Sequence, residues 1–517
     1  MRLRANLRVV SLFVLRRGFL VGFLMVVVAA CGSNGDSTDT TLASDPSSST
    51  LVADSTNPLY VSELKWKTCP SSDKENKLSC AQFVVPYDYS EPSKGTFSLK
   101  VVRRAANKPA ERIGSLLVNP GGPGFGGTYL PENASSYFSS DLLDKFDIIG
   151  WDPRGTGESK PFVDCIDNYD TYFTSDPTPD DETERQALID ASRKFSEECG
   201  KKNGEILPYI STNNTVRDMD RIRAALNESK ISYFGFSYGS ELGATWATMF
   251  PETVRAAVLD GAADPNADYM EGGLQQAEGF ERELTRFLAQ CSSDKTCKFY
   301  NAGKAESAFD ALLKSLDVKP LTVSTNRAKV NQAVALTAVS QAMYSSSMWD
   351  QLEMSLASAQ KGDGTGLLAL YDQYYQRSDD GEYGNELEAF NAIYCLDDPG
   401  PATIEETEAF TPQFQKVAPR LWPGFTGGYG CVFWPAQPDR RIDITGKGAG
   451  TIVVVGTTGD AATPLASSRK MAEALEDGRL IVVTADRHTG YGENDCVTSS
   501  VDSYLITAKV SFREKAC

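Results

Sequence analysis

Histidine is almost absent from this chain, since its 517 residues include a single one, His488. That scarcity excludes a metal site built from several histidines, and no Cys-x-x-Cys pair offers a thiolate alternative. We therefore expect neither a metal nor another cofactor. If the chemistry needs histidine as a general base near neutral pH, His488 has to be that base.

Positive charge is also scarce, and the formal net charge is −18. The first 30 residues contain five arginines and no acid, so the remainder carries 46 basic and 69 acidic residues and is close to −23. A surface this acidic argues against binding to nucleic acid and against adhesion to anionic lipid. It suits a cationic ligand such as the free N-terminus of a peptide, although solubility accounts for most of the charge.

The apolar run near the N-terminus, Gly18–Ala30, is too short to span a bilayer as a mature helix. It follows basic residues and ends in Val28-Ala29-Ala30-Cys31, which resembles a bacterial lipobox. Residues 1–31 are therefore predicted to be an export signal, with Cys31 as the lipidated residue. The protein would be an exported bacterial lipoprotein of the cell envelope, or secreted, and would meet the membrane only through this lipid anchor. Arg16-Arg17 leaves the twin-arginine route open beside the general one.

The chain has 11 cysteines, an odd number. With Cys31 set aside for lipid, ten remain, which is enough for five disulfides in an oxidising compartment. Sequence alone leaves the connectivity open, and pairing of neighbours is our prediction. It gives Cys69–Cys80, Cys165–Cys199, Cys291–Cys297, Cys395–Cys431 and Cys496–Cys517.

The length exceeds the usual single-domain ceiling of roughly 250–300 residues. Residues 32–57 are rich in Ser, Thr, Asp and Asn and are predicted to be a disordered tether. Short apolar runs alternate with helical patterns over residues 58–262 and again over 448–517, whereas residues 263–447 are mainly helical by pattern. The runs predicted as buried parallel strands are Gly114–Asn119, Phe146–Trp151, Ile231–Phe236, Arg255–Asp260, Thr451–Gly456 and Leu480–Thr484. Two antiparallel strands, Gln82–Tyr89 and Thr96–Arg104, are predicted to precede these runs. The chain is thus predicted to be an α/β protein with a mostly parallel sheet, and a large helical cap inserted between predicted strands six and seven, Arg255–Asp260 and Thr451–Gly456.

A Gly-x-Ser-x-Gly sequence at Gly235–Gly239 places Ser237 directly after a predicted strand and at the start of a predicted helix. The pattern alone is weak, because it arises easily by chance. The strand–turn–helix context is the one that a nucleophilic serine requires, with glycines permitting a crowded turn. Ser237 is therefore our candidate nucleophile.

His488 follows the last predicted strand, and Asp460 follows the strand before it. An acid in that position would orient the histidine and stabilise its imidazolium form. The chain order Ser237, Asp460, His488 is the order of a known class of serine hydrolases. Asp260, at the end of an earlier strand, is the alternative acid, while Asp486 is too close to His488 along the chain to be favoured.

The oxyanion formed during acyl transfer needs backbone N–H donors. One candidate donor is Tyr238, directly after the nucleophile, and the other lies in the glycine-rich loop Asn119–Gly124, where we favour Gly122 over Gly121. Nearby, the segment that begins Asp152-Pro153-Arg154 follows another strand end. An internal carboxylate–arginine pair that braces the active-site loops is the favoured interpretation there, with a direct chemical role as the alternative.

In this order, the motifs resemble the secreted α/β-hydrolase serine aminopeptidases of actinobacteria, the tripeptidyl aminopeptidase family, which includes mycobacterial cell-envelope proteases and carboxylesterases. The resemblance covers most of residues 60–517. It rests on NPGGPG (119–124), WDPRGTGES (151–159), GFSYGS (235–240), LDGAADP (259–265), AIYCLDD (392–398), CVFWP (431–435) and GDAATP (459–464), followed by the histidine. It implies an α/β-hydrolase fold, a triad of Ser237, Asp460 and His488 with Thr463 nearby, and cleavage of short peptides from a free N-terminus.

In the related prolyl aminopeptidases, carboxylates of the cap bind the substrate amine. No motif transfers those residues one by one to this chain. Asp397, in the cap segment that carries the resemblance, is our first candidate for amine binding, followed by Asp398 and Glu388. A purely structural or solvated acid is the alternative for Asp397.

Three functions compete at this point. The first is an exported aminopeptidase that releases di- or tripeptides, with a peptide as its partner, and the second is an envelope carboxylesterase or lipase that uses the same triad on an ester. The third is an envelope lipoprotein that binds without catalysis, which the presence of Ser237, Asp460 and His488 argues against. A dehalogenase is disfavoured because the elbow carries serine rather than aspartate.

Overall fold

Strands of one twisted sheet form the centre of the molecule. The computed structural model describes residues 63–71, 77–324, 326–426 and 428–517. The predicted export signal, the tether and Cys31 therefore lie outside the described residues. Among the helices that are described, none combines the length and the apolar character that crossing a bilayer would demand.

The described residues contain ten strands in the spatial order β1-β2-β3-β5-β4-β6-β7-β8-β9-β10. Their bounds are Lys67–Thr68, Leu78–Pro86, Thr96–Arg104, Gly114–Asn119, Phe146–Trp151, Ile231–Phe236, Val254–Asp260, Ile452–Thr457, Gly478–Val483 and Glu514–Ala516. The pairs β1–β2, β2–β3 and β3–β5 are antiparallel. Every pair from β5 to β10 is parallel, so the carboxyl ends of those strands meet at one edge of the sheet.

Seventeen α-helices are present in the same described ranges. They are Tyr129–Glu132, Ala134–Tyr137, Ser140–Lys145, Asp170–Phe173, Glu182–Asn203, Thr212–Ala225, Tyr238–Met249, Tyr269–Ser293, Ala305–Val318, Gln332–Met343, Trp349–Ala359, Thr365–Tyr374, Glu386–Asp397, Ile404–Glu408, Thr411–Val417, Leu465–Ala474 and Asp495–Thr507, numbered α1 to α17. Helices α1–α3 and α17 pack on one face of the sheet, and α6, α7 and α16 pack on the other.

Alternate residues of each buried strand serve the two faces. Leu117 of β4 and Tyr233 of β6 belong to the core beneath α6 and α7. Their neighbours Val118 and Phe234 belong to the core beneath α17. This alternation follows from the two-residue period of a strand, and burial on both faces explains why these strands are apolar throughout.

Helices α8 to α15 form the cap, inserted between β7 and β8, the pair that corresponds to predicted strands six and seven. The apolar residues of α8 within Phe280–Leu288 and those of α9 within Phe309–Leu316 are buried in the cap's own core. Helix α8 begins at Asp268, whose carboxylate accepts hydrogen bonds from the backbone N–H groups of Met270 and Glu271.

The segment between β5 and β6 was not anticipated as part of the cap. It contains α5, a 22-residue helix whose sequence is charge-rich and weakly amphipathic, so its pattern gave little signal. Arg185 of α5 forms an ion pair with Glu408 of the cap, and the hydroxyl of Ser196 donates to the carbonyl oxygen of Gly430. The segment between β5 and β6 thus contacts the cap and supports it.

All five predicted cysteine pairs are bonded. Two of them tie loop to helix around the cap: Cys165–Cys199 holds α5, and Cys395–Cys431 holds α13. Cys291 and Cys297 also lie within metal-binding distance of Glu353, but their sulfurs are joined to each other and offer no thiolate. The disulfide framework fits an oxidising compartment.

An internal ion pair does involve Arg154, but its partner is Asp218 of α6 rather than Asp152. Both side chains are wholly buried, and the guanidinium donates to the two carboxylate oxygens at 2.8 and 2.6 Å. Asp152 instead accepts hydrogen bonds from the N–H groups of Thr128 and Glu158, and so ties together the loops that follow β4 and β5.

Replacing Arg154 by methionine should destabilise the fold strongly, because the Asp218 carboxylate would remain buried without its counter-charge. Loss of one partner of such a pair typically costs about 3–5 kcal/mol. We expect a clear fall in Tm, measured by circular dichroism. Arg469→Met, which breaks a surface pair with Glu514, is the control and should leave Tm unchanged. Equal Tm values for both variants would contradict a stabilising role for the Arg154–Asp218 pair.

Candidate active site

Ser237 lies in a sharp turn between β6 and α7. Its backbone has φ 54° and ψ −125°, a strained conformation for a residue with a side chain. A Cβ atom at Gly235 would lie 2.1 Å from the carbonyl oxygen of Gly239, so this turn closes only with glycine there. The Ser237 N–H donates to the carbonyl oxygen of Asp260 at 2.7 Å, which fixes the turn against the end of β7.

The ends of β6, β7, β8 and β9 bring the predicted residues to one point. The Ser237 hydroxyl is buried and makes no hydrogen bond within the described part of the chain. A Cβ atom at Gly261, next to the Asp260 carbonyl that holds Ser237, would lie 3.1 Å from His488 Cε1 and 3.2 Å from Thr463 Oγ1. His488 and Thr463 therefore lie against the end of β7 that also holds the Ser237 backbone.

His488 contacts Asp460 directly. Its Nδ1 lies 2.9 Å from both carboxylate oxygens, and the two side chains are almost completely buried. The Asp460 carboxylate also accepts from the Thr463 N–H at 2.8 Å, from the Thr463 hydroxyl at 3.1 Å and from the Thr489 N–H at 3.3 Å. An imidazole that donates its Nδ1–H to this carboxylate carries its lone pair on Nε2, the form that a general base needs.

Asp260, the alternative acid, contacts the backbone that follows His488 and not the imidazole ring. Its carboxylate accepts from the N–H groups of Gly490 and Tyr491 at 2.7 and 2.8 Å, so it fixes the backbone just after His488. Asp260 is wholly buried, and this burial raises its pKa to about 6. The structure therefore brings Asp460, rather than Asp260, to the imidazole.

The glycine-rich loop after β4 lies against the start of α7. A Cβ atom at Gly121 would lie 2.8 Å from Ser237 Cβ and 3.1 Å from the Tyr238 nitrogen. The Gly121 N–H is already used, because it donates to the side-chain oxygen of Asn119 at 2.9 Å. That bond occupies the Gly121 N–H, and the choice of Gly122 and Tyr238 as oxyanion donors stays a prediction.

A cavity opens beside the nucleophile under the cap. Pro123 of the glycine-rich loop, Tyr238 and Thr463 form its inner wall. The described residues that line it include five carboxylates and one guanidinium: Glu241, Asp264, Asp268, Asp397, Asp398 and Arg441. Asp264 has its own partner in Lys470 at 2.7 Å. The cavity wall is consequently acidic close to Ser237, the candidate nucleophile.

Two of the three acids predicted for amine binding line this cavity. Asp398 pairs with Arg441 at 2.9 Å. Asp397 accepts from the N–H and the hydroxyl of Thr212 at 2.9 and 2.6 Å, and the same hydroxyl is hydrogen-bonded to the Tyr238 phenol. Burial, with the nearby charge of Glu241, holds the pKa of Asp397 well above its ordinary value.

Glu388, the third predicted acid, does not line the cavity. Its two carboxylate oxygens accept from the backbone N–H groups of Cys165 and Ile166, both at 2.9 Å, and it is 2% exposed. Burial raises the pKa of Glu388 to about 7. It therefore anchors the loop before α4 to the cap, and both of its oxygens already accept backbone hydrogen bonds.

Glu241 was missed in the sequence. It lies on α7, four residues after Ser237, a spacing that places both on one side of the helix and was the one usable signal. Its Oε1 is buried, lies 3.5 Å from the Arg441 guanidinium, and makes no hydrogen bond within the described residues. An acid in the first turn of a helix is ordinarily explained by the helix dipole, which hid this position.

A serine at a strand–helix elbow, an Asp–His pair behind it and a glycine-rich loop before it define the site of a serine hydrolase. The chain belongs to the α/β-hydrolase family, whose model, described as alpha/beta hydrolase fold, matches residues 114–495.

Three relatives show which members of this family the chain is similar to. It is 32% identical over 463 residues to serine protease Hip1 of Mycobacterium tuberculosis, covering 86% of this chain and 88% of that protein. It is 34% identical over 468 residues to carboxylesterase B of the same organism, covering 87% and 89%. It is 28% identical over 470 residues to tripeptidyl aminopeptidase of Streptomyces lividans, covering 88% and 86%. The resemblance inferred from the motifs is confirmed, and the protein is a serine hydrolase.

The buried Asp260 makes stability depend on pH in a defined direction. Its native pKa of about 6 lies above the ordinary value of 3.8, so folding disfavours its ionised form. Its contribution is therefore complete below about pH 4 and is lost as the pH rises through 6, amounting to about 3 kcal/mol. Unfolding of wild type and Asp260→Asn at pH 4, 5, 6 and 7 should show the wild type losing stability relative to the variant. A difference independent of pH would refute the assignment.

Proposed function

We propose that this protein is an exported serine aminopeptidase that releases di- or tripeptides from free N-termini. Ser237 is the nucleophile, His488 the general base and Asp460 the acid of the triad. The observation that carries the peptidase assignment is the acidic cavity beside the nucleophile. Five carboxylates line it together with one guanidinium, which favours a substrate with a positively charged end.

The reaction begins when His488 Nε2 removes the proton from Ser237 Oγ as that oxygen attacks the peptide carbonyl. The negative charge of the tetrahedral intermediate falls on the carbonyl oxygen, where the N–H groups of Tyr238 and Gly122 stabilise it. Asp460 stabilises the imidazolium. His488 then donates the proton to the departing amine. In the second half of the reaction His488 removes a proton from water as the water attacks the acyl carbonyl, and returns it to Ser237 Oγ as the peptide acid leaves.

The amine subsite consists of Asp398 and Glu241. Both face Arg441, so two carboxylates share one guanidinium in a partly closed cavity. A substrate ammonium would balance the second carboxylate, and such a pair is stronger there than in water. Asp397 contributes to the wall through its bonds to Thr212 rather than as the first contact for the amine.

A carboxylesterase is the second candidate, because carboxylesterase B is among the relatives and an ester requires only the triad and the oxyanion donors. A neutral ester, however, gives the acidic wall nothing to bind. Export is supported by the five disulfides. Lipidation at Cys31 completes the proposal, with the lipid as the membrane anchor.

A tripeptide anilide with a free N-terminus should be cleaved, and its N-acetylated counterpart should not, because acetylation removes the charge that the acidic subsite binds. Release of the chromogenic amine measures both, with a p-nitrophenyl ester alongside and Ser237→Ala as the blank. Turnover of the ester alone would replace the peptidase by the esterase. Equal rates for wild type and Ser237→Ala would remove Ser237 from the mechanism.

Asp398→Asn should raise KM for the free-amine substrate about 10- to 100-fold, because one charge-assisted contact of about 1.5–3 kcal/mol is lost. The value of kcat should change little. Glu388→Gln is the matched control in α13, the helix that ends directly before Asp398, and KM should stay at the wild-type value because Glu388 does not line the cavity. An unchanged KM in Asp398→Asn would exclude Asp398 from amine binding.

His488→Ala should lower kcat about 10⁴- to 10⁶-fold, since the chain contains no second histidine to replace the base. Steady-state kinetics on the same anilide measure the loss. A variant that kept a tenth of the wild-type rate would exclude His488 as the base.

A further inference from the structure

Helix α8 of the cap packs directly on the loop that carries Asp460. A Cβ atom at Gly279 would lie 2.2 Å from the carbonyl oxygen of Ala461, so glycine allows the helix backbone to approach that loop. One turn further on, Arg282 donates to the carbonyl oxygen of Asp460 itself at 2.7 Å. The cap therefore holds the backbone of the triad acid.

The same helix also holds the loop that carries His488. Arg286 forms a bidentate ion pair with Asp486, two residues before His488, with both hydrogen bonds at 2.7 Å. Other parts of the cap hold this loop too, since the His488 N–H donates to the Tyr344 carbonyl oxygen at 2.8 Å and the Ser346 N–H donates to that of Asp486 at 2.9 Å.

Glu283 joins the two arginines. Its side chain is 2% exposed, and its two oxygens accept from Arg282 Nε at 3.0 Å and from Arg286 at 2.7 Å. A buried carboxylate is costly unless it is paired, and here one carboxylate orients two guanidinium groups. Each guanidinium then reaches a different loop of the triad.

We infer that Glu283, Arg282 and Arg286 form a clamp that sets the alignment of Asp460 with His488. The inference rests on the proposed triad and assigns these three as positioning residues, since none of them touches the substrate cavity. An Nδ1 atom equidistant from both Asp460 oxygens requires the two loops to be in fixed register. Misplacement by about 1 Å can cost two orders of magnitude in rate.

Glu283→Gln is the central variant, because the amide keeps the size of the side chain and cannot accept from both arginines. We expect kcat to fall about 10- to 100-fold while KM stays within twofold. Weaker support of the imidazolium by Asp460 should also move the acidic limb of the pH–rate profile to lower pH. Arg286→Met should reproduce these effects, and Arg286→Lys should recover part of the rate. Arg469→Met, which breaks a surface arginine–carboxylate pair, should change none of them.

The readout is the rate at which a fluorophosphonate labels Ser237, measured from pH 5 to 9 on the full protein, because labelling depends on the triad and not on the substrate class. Slower labelling in Glu283→Gln and Arg286→Met, with Tm within a few degrees of wild type, supports the clamp. Wild-type labelling rates and pH profiles in both variants overturn it, whatever happens to Tm. If Glu283→Gln fails to fold, the Arg286→Met and Arg286→Lys pair decides.

The two proposals fail in different ways. A wild-type protein that is labelled but leaves the free-amine peptide intact loses the aminopeptidase assignment, and the clamp is still judged from the labelling rates. A wild-type protein that is not labelled at Ser237 overturns the triad and the clamp together.

Discussion

The contact between Asp460 and His488 is the interaction on which the rest of the structure depends. A carboxylate with no exposed surface is tolerated because the imidazole, the Thr463 N–H and hydroxyl and the Thr489 N–H all donate to it. The contact joins two loops that follow neighbouring parallel strands, β8 and β9. Those loops meet because parallel strands end at one edge of the sheet, and this edge is where the fold leaves room for a ligand.

The cap covers the cavity, and it also contacts the loop that carries Asp460. Its insertion after β7 places α8 beside the loop that follows β8, where Gly279 allows close approach and Arg282 reaches the Asp460 carbonyl. The cap core is separate from the cores of the sheet, yet it includes Ala461 and Ala462 of the acid loop. A rigid movement of the whole cap would break the contacts of Arg282 and Arg286 with the loops that carry Asp460 and His488.

Much of the sheet and of the candidate site was predictable from the sequence, because the apolar runs, the short motifs and their order along the chain indicated the same fold. Strands β4, β5 and β6 have the predicted bounds, since burial on both faces makes them uninterrupted apolar runs. The short edge strands β1 and β10 were missed because two or three half-exposed residues give no periodic signal. The partner of Arg154 could not be deduced, because Asp218 is 64 residues away and only packing brings α6 to it. Pairing of neighbouring cysteines succeeded because each pair closes a short loop within one local unit.

Tyr238 connects the glycine-rich loop after β4 with the acidic wall of the cavity, and no local sequence pattern reveals this connection. Its backbone nitrogen lies against the glycine-rich loop after β4, while its phenol is hydrogen-bonded to Thr212, which in turn donates to Asp397 in the acidic wall. Asp397 therefore does more for the site by holding Tyr238 than by meeting an ammonium, since both of its oxygens already accept from Thr212. The acids of the cavity therefore have two different roles. Asp397 stabilises the wall. Asp398 and Glu241 together carry more negative charge than Arg441 alone balances. A substrate amine that pairs with that charge would be held beside Tyr238, the residue that we propose as one of the oxyanion donors.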